Sequence, residues 1–158
     1  MWRRVLLAQR AVTAYYGVMP PVDSVQALEL MRLACVNIGA HWQEHLEFWE
    51  GDDPGDYNIT SVFAEYLVDM YERGQTDDFA AIFSLIEQMI VDGTDESRSL
   101  IVVGVLESIR NISSHKTFGE KVFTTWMKPN TLQAWTEVAR RWVGKSSLAD
   151  VIRAERGR

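Results

Sequence analysis

Residues 41–45 read HWQEH, a His-x-x-Glu-His spacing that inverzincin metallopeptidases use to bind zinc. Histidines four positions apart lie on one side of a helix and can share a metal. Glu44 would then polarise a bound water as general base. A peptidase site also needs a third protein ligand, for which Glu107 and Glu120 are available carboxylates. The surrounding residues weigh against that chemistry. On a helical wheel Trp42, Leu46 and Trp49 form the buried stripe, with His45 at its edge, His41 beyond it and Glu44 toward solvent. Inverzincins are also large enzymes built on sheets, and no segment of this chain reads as a credible sheet. The two histidines are therefore expected as boundary residues of an amphipathic helix, with no metal and no cofactor.

Other chemical spacings fail sooner. Gly144-Lys145-Ser146 has the ending of a phosphate-binding loop, but the earlier glycine position holds Ala139 and the segment follows a helix, not a strand. Cys35 lies in the apolar stretch LMRLACVNI and reads as a buried, inert thiol. His115 has serines beside it in NISSHKTFGEK but no acid to orient it. No catalytic residue is assigned.

The stretch HLEFWEGDDPGDYN, residues 45–58, suggests binding instead. With the preceding Glu44, it sets Phe48, Trp49 and Tyr57 among Glu47, Glu50, Asp52, Asp53 and Asp56. Aromatic side chains supply anchors, while carboxylates steer encounter and pair with Arg or Lys, a combination suited to a basic protein surface. The alternative is that Trp49 and Tyr57 pin the loop to the core and the acids merely face water. DDPGD lacks the ligand spacing of an EF-hand loop. These nine residues form the candidate partner-binding set.

The elements that position them are helices, because apolar spacing is helical nearly throughout. Phe79, Ile82, Phe83, Ile86, Met89 and Ile90 recur at steps of three and four, with Thr76 as cap and Gly93 as stop. Val62, Phe63, Tyr66, Leu67, Met70 and Tyr71 form another stripe, opened by Asn58 or Thr60 and closed at Gly74. Leu100 to Ile112 is apolar on nearly every side. Its IVVGV run is compatible with a buried strand, but continuation through Leu106, Ile109 and Ile112 favours a central helix. Asp23 with Gln26, and Asn130 with Gln133, stand at capping-box spacing and open helices near residues 24–38 and 131–143. Further helices are expected at 2–16, 41–50, 117–127 and 147–156, with Pro20-Pro21 and GDDPGD as breaks. Short loops make sequence neighbours antiparallel. The expected fold is all-α, a single domain of about seven to nine helices over residues 23–158 in a HEAT-like stack or irregular bundle. A helical extension over residues 1–22 precedes it.

At 158 residues, with 47% apolar and 24% charged residues, the chain can bury a real core. No apolar run approaches a membrane span, and the stretch Val5 to Ala8 is cut off by Gln9 and Arg10, far short of a secretory signal. Cys35 is the single cysteine, so a reducing, cytoplasmic setting is expected. The net charge of −6 is unevenly spread. Residues 1–20 hold three arginines and no acid. Residues 21–100 hold seventeen acids against Arg32, Arg73 and Arg98, a balance of −14, and residues 101–158 hold ten basic and five acidic residues. Such a field repels nucleic acid and attracts a basic partner.

The runs HWQEHLEFWEGDDPGDYN, FAEYLVDMYERGQTDDFAAIFSLIEQMI, GVLESIRNISSH and SLADVIRAE resemble a family of small bacterial all-helical proteins of unknown function, across residues 24–156. The opening MWRRVLLAQRAVTAYYGVMPP lies outside the resemblance. That family is in turn similar to the small helical immunity proteins of bacterial toxin systems. The resemblance brings no functional residues with it. It implies an immunity- or antitoxin-like inhibitor that masks a basic toxin domain. A HEAT-like regulatory or scaffold module with a non-toxin partner is the second reading, and a zinc hydrolase using His41, Glu44 and His45 the third.

Overall fold

The computed structural model describes residues 21–156, with side chains through Trp142. The helices are α1 (Ser24–Ala34), α2 (Gly39–Trp49), α3 (Asp56–Glu72), α4 (Phe79–Asp92), α5 (Asp95–Ser99), α6 (Ser108–Ser114) and α7 (Pro129–Arg156). A π-helical segment, Leu100–Glu107, joins α5 to α6 without a break, and a 3-10 helix, Glu120–Trp126, leads toward α7. The described residues form no strand beyond one isolated bridge between Val22 and Gly93, so the all-α expectation holds. The helix expected over residues 2–16 lies outside the described residues.

Local chemistry explains most helix ends. Asp23 caps α1 through the expected box: its Oδ1 accepts the Gln26 N–H at 2.8 Å, and Gln26 Oε1 accepts the Asp23 N–H at 3.1 Å. α3 ends in a Schellman turn, with Gly74 N–H donating to Tyr71 O and Gln75 N–H to Met70 O. Gly74 stands at φ 70°, a conformation that costs glycine nothing.

Other ends depart from the sequence reading. α3 starts at Asp56, ahead of Asn58, because the positive-φ Gly55 turns the chain into the helix and its carbonyl accepts the Asn58 and Ile59 N–H groups. Thr76 does not cap α4. Asp78 holds that position with helical backbone angles and no side-chain bond, leaving Thr76 upstream of the first turn. The two helices expected at 131–143 and 147–156 are one helix, α7. A single interior glycine, Gly144, costs only about 1 kcal/mol against Ala and does not break it.

The capping of α7 comes from another helix. Pro129 occupies its first position, where a missing N–H loses nothing. Glu87 of α4 then accepts from the backbone and side chain of both following residues. Its Oε1 takes the Asn130 N–H at 3.0 Å and Nδ2 at 2.8 Å, and its Oε2 takes the Thr131 N–H and hydroxyl, each at 2.7 Å. Asn130 therefore donates to a cap instead of being one. Burial alone would raise the Glu87 carboxyl, but the bonds from Thr131 and Asn130 outweigh it and hold the group below its ordinary 4.5.

The centre of the fold is the contact between α3 and the π segment. Gly104 lies against Thr60, and Lys116 Nζ reaches Glu72 Oε2 at 3.0 Å, the same offset of 44 residues. The two rods therefore run in the same direction, with α4 carrying the chain back between them. Phe63, Leu67, Ile101, Val105 and Ile109 are fully buried along this seam. At one end, Tyr71, Phe79, Phe83, Phe123 and Trp126 form an aromatic cluster that docks the 3-10 helix, with Phe79 and Trp126 centroids 4.9 Å apart. Cys35 is fully buried, and its surroundings, with the nearby Asp78 charge adding to the effect, push the thiol up to about 12, as expected for an inert group.

Two substitutions test this architecture. A Cβ at Gly104 would stand 2.8 Å from the Thr60 Cβ and closer still to its hydroxyl. Gly104→Ala is expected to lower stability by about 1–3 kcal/mol despite better helix propensity. Its cost should shrink in a Thr60→Ala background, as read by urea denaturation; equal costs in both backgrounds would mean the contact is slack. Glu87→Ala should cost about 1 kcal/mol at neutral pH, the worth of a helix cap. Because the folded value is depressed, that stabilisation is present above about pH 4.5 and is lost as pH falls through the folded value. Denaturation at several pH values should therefore show wild type and variant converging in acid.

Candidate functional site

α2 is a peripheral helix whose face is set by α3. None of its residues is fully buried. Trp42 packs on Phe63 with centroids 6.1 Å apart, and the Arg32 guanidinium lies 5.1 Å over the Trp42 ring. His41 meets the edge of Tyr66, and its Nε2 is 3.2 Å from Asp69 Oδ2, while Asp69 Oδ1 receives Arg73 Nε at 3.1 Å. The inward stripe is thus Ile38, His41, Trp42, His45 and Trp49, and Leu46 is 47% exposed. This corrects the wheel reading of Leu46, which put it inside; Trp42 and Trp49 face inward as expected, and both histidines are half-buried, as boundary residues are. α3 presents Asp69 and Tyr66 to α2, and a histidine satisfies that polar, aromatic surface better than a leucine.

The zinc spacing loses its partners in the same way. His41 is turned to Asp69, and His45 Nε2 has no hydrogen-bond partner among the described residues. Glu107 accepts Trp142 Nε1–H at 3.0 Å, and Glu120 pairs with Arg110 at 3.2 Å. Among the described residues no three His, Cys, Asp or Glu side chains come close enough to hold a metal ion. Ser113 and Ser114 donate to carbonyls of their own helix, at Ile109 and Asn111, so neither hydroxyl is offered to His115.

The end of α2 and the following loop project the acidic and aromatic residues outward. Phe48 is 78% exposed and stands edge-on to the half-buried Trp49, with centroids 5.6 Å apart. Glu50 takes a left-handed conformation at φ 49°, followed by Gly51 at φ 91°, which turns the chain off the helix. Asp53 Oδ1 accepts the Gly55 N–H at 2.9 Å, and Asn58 Nδ2 donates to Pro54 O at 2.7 Å. These short local bonds shape the loop, while Glu44, Glu47, Glu50, Asp52, Asp53 and Asp56 stay exposed. Glu47 accepts from Gln43 at 3.0 Å. Among the described residues none of these six carboxylates enters an ion pair; Arg73, Lys116, Arg98 and Arg110 pair with Asp69, Glu72, Asp95 and Glu120 instead.

Tyr57, 53% exposed, lies some way along the chain from Phe48 and opens a second feature. With Asp56 it lines a groove of about 480 Å³ completed by Ser24, Asp95, Glu96, Ser99 and Leu100. The starts of α1, α3 and α5 meet there. Asp95 and Glu96 were not anticipated as site residues. In sequence they read as acids favouring the first turn of a helix, and only the parallel packing of the π segment beside α3 brings them to the same groove as Asp56.

The described residues contain no helix long and apolar enough to cross a membrane. No curated protein and no solved structure matches the chain. A family model does match, over residues 28–143, somewhat inside the span of the sequence resemblance. With most of its length matched, and with the helices α2 to α6 all inside the match, the chain belongs to the family described as a domain of unknown function, DUF7674.

Proposed function

We propose that this chain is a non-catalytic protein-binding module, an immunity- or antitoxin-like inhibitor of a bacterial toxin system that takes the basic face of a toxin domain on its acidic, aromatic surface. The observation that carries this reading is Phe48, a large aromatic 78% exposed at the end of α2 and flanked by carboxylates that form no ion pair among the described residues. An exposed aromatic has apolar surface to bury, and such residues are typical interface anchors. The surrounding acids supply long-range steering. Domains that act on nucleic acid carry positive charge to hold phosphates, and an inhibitor that covers such a face needs the opposite sign. The −14 balance of residues 21–100 supports that role.

A second reading, a HEAT-like regulatory or scaffold module with a non-toxin partner, draws on a different surface. A groove of about 610 Å³ runs along the start of α7, lined by Met127, Pro129, Leu132 and Thr136, and its exposed Leu132 gives a partner an apolar foothold.

Affinity capture from the source organism's lysate, followed by mass spectrometry, separates the two. The inhibitor reading expects one basic protein with a toxin domain, held by wild type at low salt and weakened at moderate salt. Phe48→Ala should cut its affinity about thirtyfold, in line with a hot-spot loss of about 2 kcal/mol. Reversing Glu47, Glu50, Asp52 and Asp53 to lysine should slow association about tenfold or more. A partner lost through Leu132→Asp but indifferent to these changes would put the scaffold reading in its place. Glu50→Gly provides an internal check. Relieving the left-handed glutamate should raise stability by about 1 kcal/mol while weakening capture, a trade expected where a strained residue serves binding.

A further inference from the structure

α2 meets none of the usual preferences of a helix end. Ile38 stands at its N-cap with no side-chain bond, its first turn holds no acid and its last turn no base. Glu47 and Glu50 lie instead at its C-terminus, where the helix dipole disfavours negative charge. Packing must therefore hold α2 in place, and that packing is sparse. α3 buries Val62, Phe63, Ala64 and Leu67 completely, whereas α2 fully buries no residue. Its hold on the fold is the buried Ile38 at its cap, Trp42 against Phe63, the Arg32 guanidinium over the same indole, and the contact of His41 with Tyr66.

Under α2 polar groups are enclosed without being satisfied. His41 Nδ1, His45 Nε2 and Asp69 Oδ2 are buried atoms with no hydrogen-bond partner among the described residues. His41 Nε2 comes within 3.2 Å of Asp69 Oδ2, an approach that lacks the direction of a hydrogen bond. Atoms enclosed in this way give up the bonds water would make to them, and lifting α2 restores those bonds. The chain is also jointed on both sides of the helix. Cys35 before it and Thr60 after it are fully buried and anchor α1 and α3. Between these anchors lie the exposed Val36 and Asn37 ahead of α2, and Gly51 at φ 91° and Gly55 at φ 73° behind it.

We propose that α2 is a latch, which lifts from α3 as a unit by pivoting at residues 36–37 and 51–55 while the rest of the fold stays closed. Glu44, Glu47 and Phe48 travel with α2, whereas Asp56 stays with α3, so the acidic, aromatic surface is whole only when the latch is shut. That consequence for binding rests on the reading of Phe48 as an anchor. The opening itself does not, and it is measured on the chain alone.

Native-state hydrogen exchange on the full chain, followed by NMR at low urea concentrations, tests it. The amides of His45, Leu46, Glu47 and Phe48 should exchange about a hundredfold or more faster than those of Phe63, Tyr66 and Leu67 in α3, once each is corrected for its intrinsic rate. Their rates should barely rise with urea, because lifting one helix exposes little surface. Equal protection of the two helices with the same urea dependence would overturn the proposal, since α2 would then open only with the whole fold. Ile109→Val, a mild loss in the core of α6, separates the cases further. It should speed α3 exchange about fivefold and leave α2 exchange unchanged. A matching rise in α2 would again mean global opening. His45→Leu removes one of the enclosed nitrogens and should slow α2 exchange about tenfold. Unchanged α2 exchange in that variant would also count against the latch, because the unsatisfied underside would not then be what opens it.

Discussion

At Gly104 the π segment lies so close to α3 that no side chain fits between it and Thr60. Two parallel rods meet there, and the remaining elements are arranged around them. The widened turn of Leu100–Glu107 allows a run apolar on nearly every side to press Ile101, Val105 and Leu106 into the core while α5 and α6 continue the same axis. Thr60 accommodates the approach by turning its hydroxyl to Tyr57 O at 2.8 Å, so a polar atom fully enclosed by the contact keeps a partner. The parallel register then determines which ends meet. Residues 56 and 57 lie beside 99 and 100, and residue 72 beside 116.

Long helices were readable because their apolar steps of three and four are local properties. α4 and its stop at Gly93, the central helix through Ile109, and the box at Asp23 and Gln26 needed nothing from elsewhere in the chain. What the sequence did not carry was tertiary. Thr76 and Asn130 looked like caps by type and spacing, yet one lies too far upstream and the other is served by Glu87, 43 residues away. The face of α2 was misjudged for the same reason. A wheel ranks leucine above histidine for burial, and only the presence of Asp69 and Tyr66 opposite reverses the order. At the candidate site, Phe48 and the neighbouring acids were legible as a composition. Asp95 and Glu96 were not, because their place beside Asp56 depends on the parallel register.

Polar groups in this molecule divide into two populations. Glu87, Asp69, Glu107 and Glu120 are each drawn into bonds that join helices: Glu87 to α7, Asp69 to α2, Glu107 to Trp142, and Glu120 back to Arg110. Glu87 engages both of its oxygens, and each of the four links its element to another. Among the described residues the carboxylates from Glu44 to Asp56 form no such links; their loop is held by backbone turns, by Asp53 on Gly55 and by Asn58 on Pro54. Exposed charges of one sign that tie nothing together repel one another and subtract from stability.

Removing that repulsion would ask little of the fold, since no core side chain lies between Glu44 and Asp56 apart from the half-buried His45, Trp49 and Pro54. The acids are concentrated where structure constrains sequence least, on a peripheral helix end and the loop after it, and the same short stretch holds Phe48 and the left-handed Glu50. An exposed aromatic, a strained turn and uncompensated charge each work against folding when taken singly. Their coincidence in one segment is what the proposed binding role rests on, because a basic, partly apolar counterpart would offset the repulsion and bury the ring in the same event.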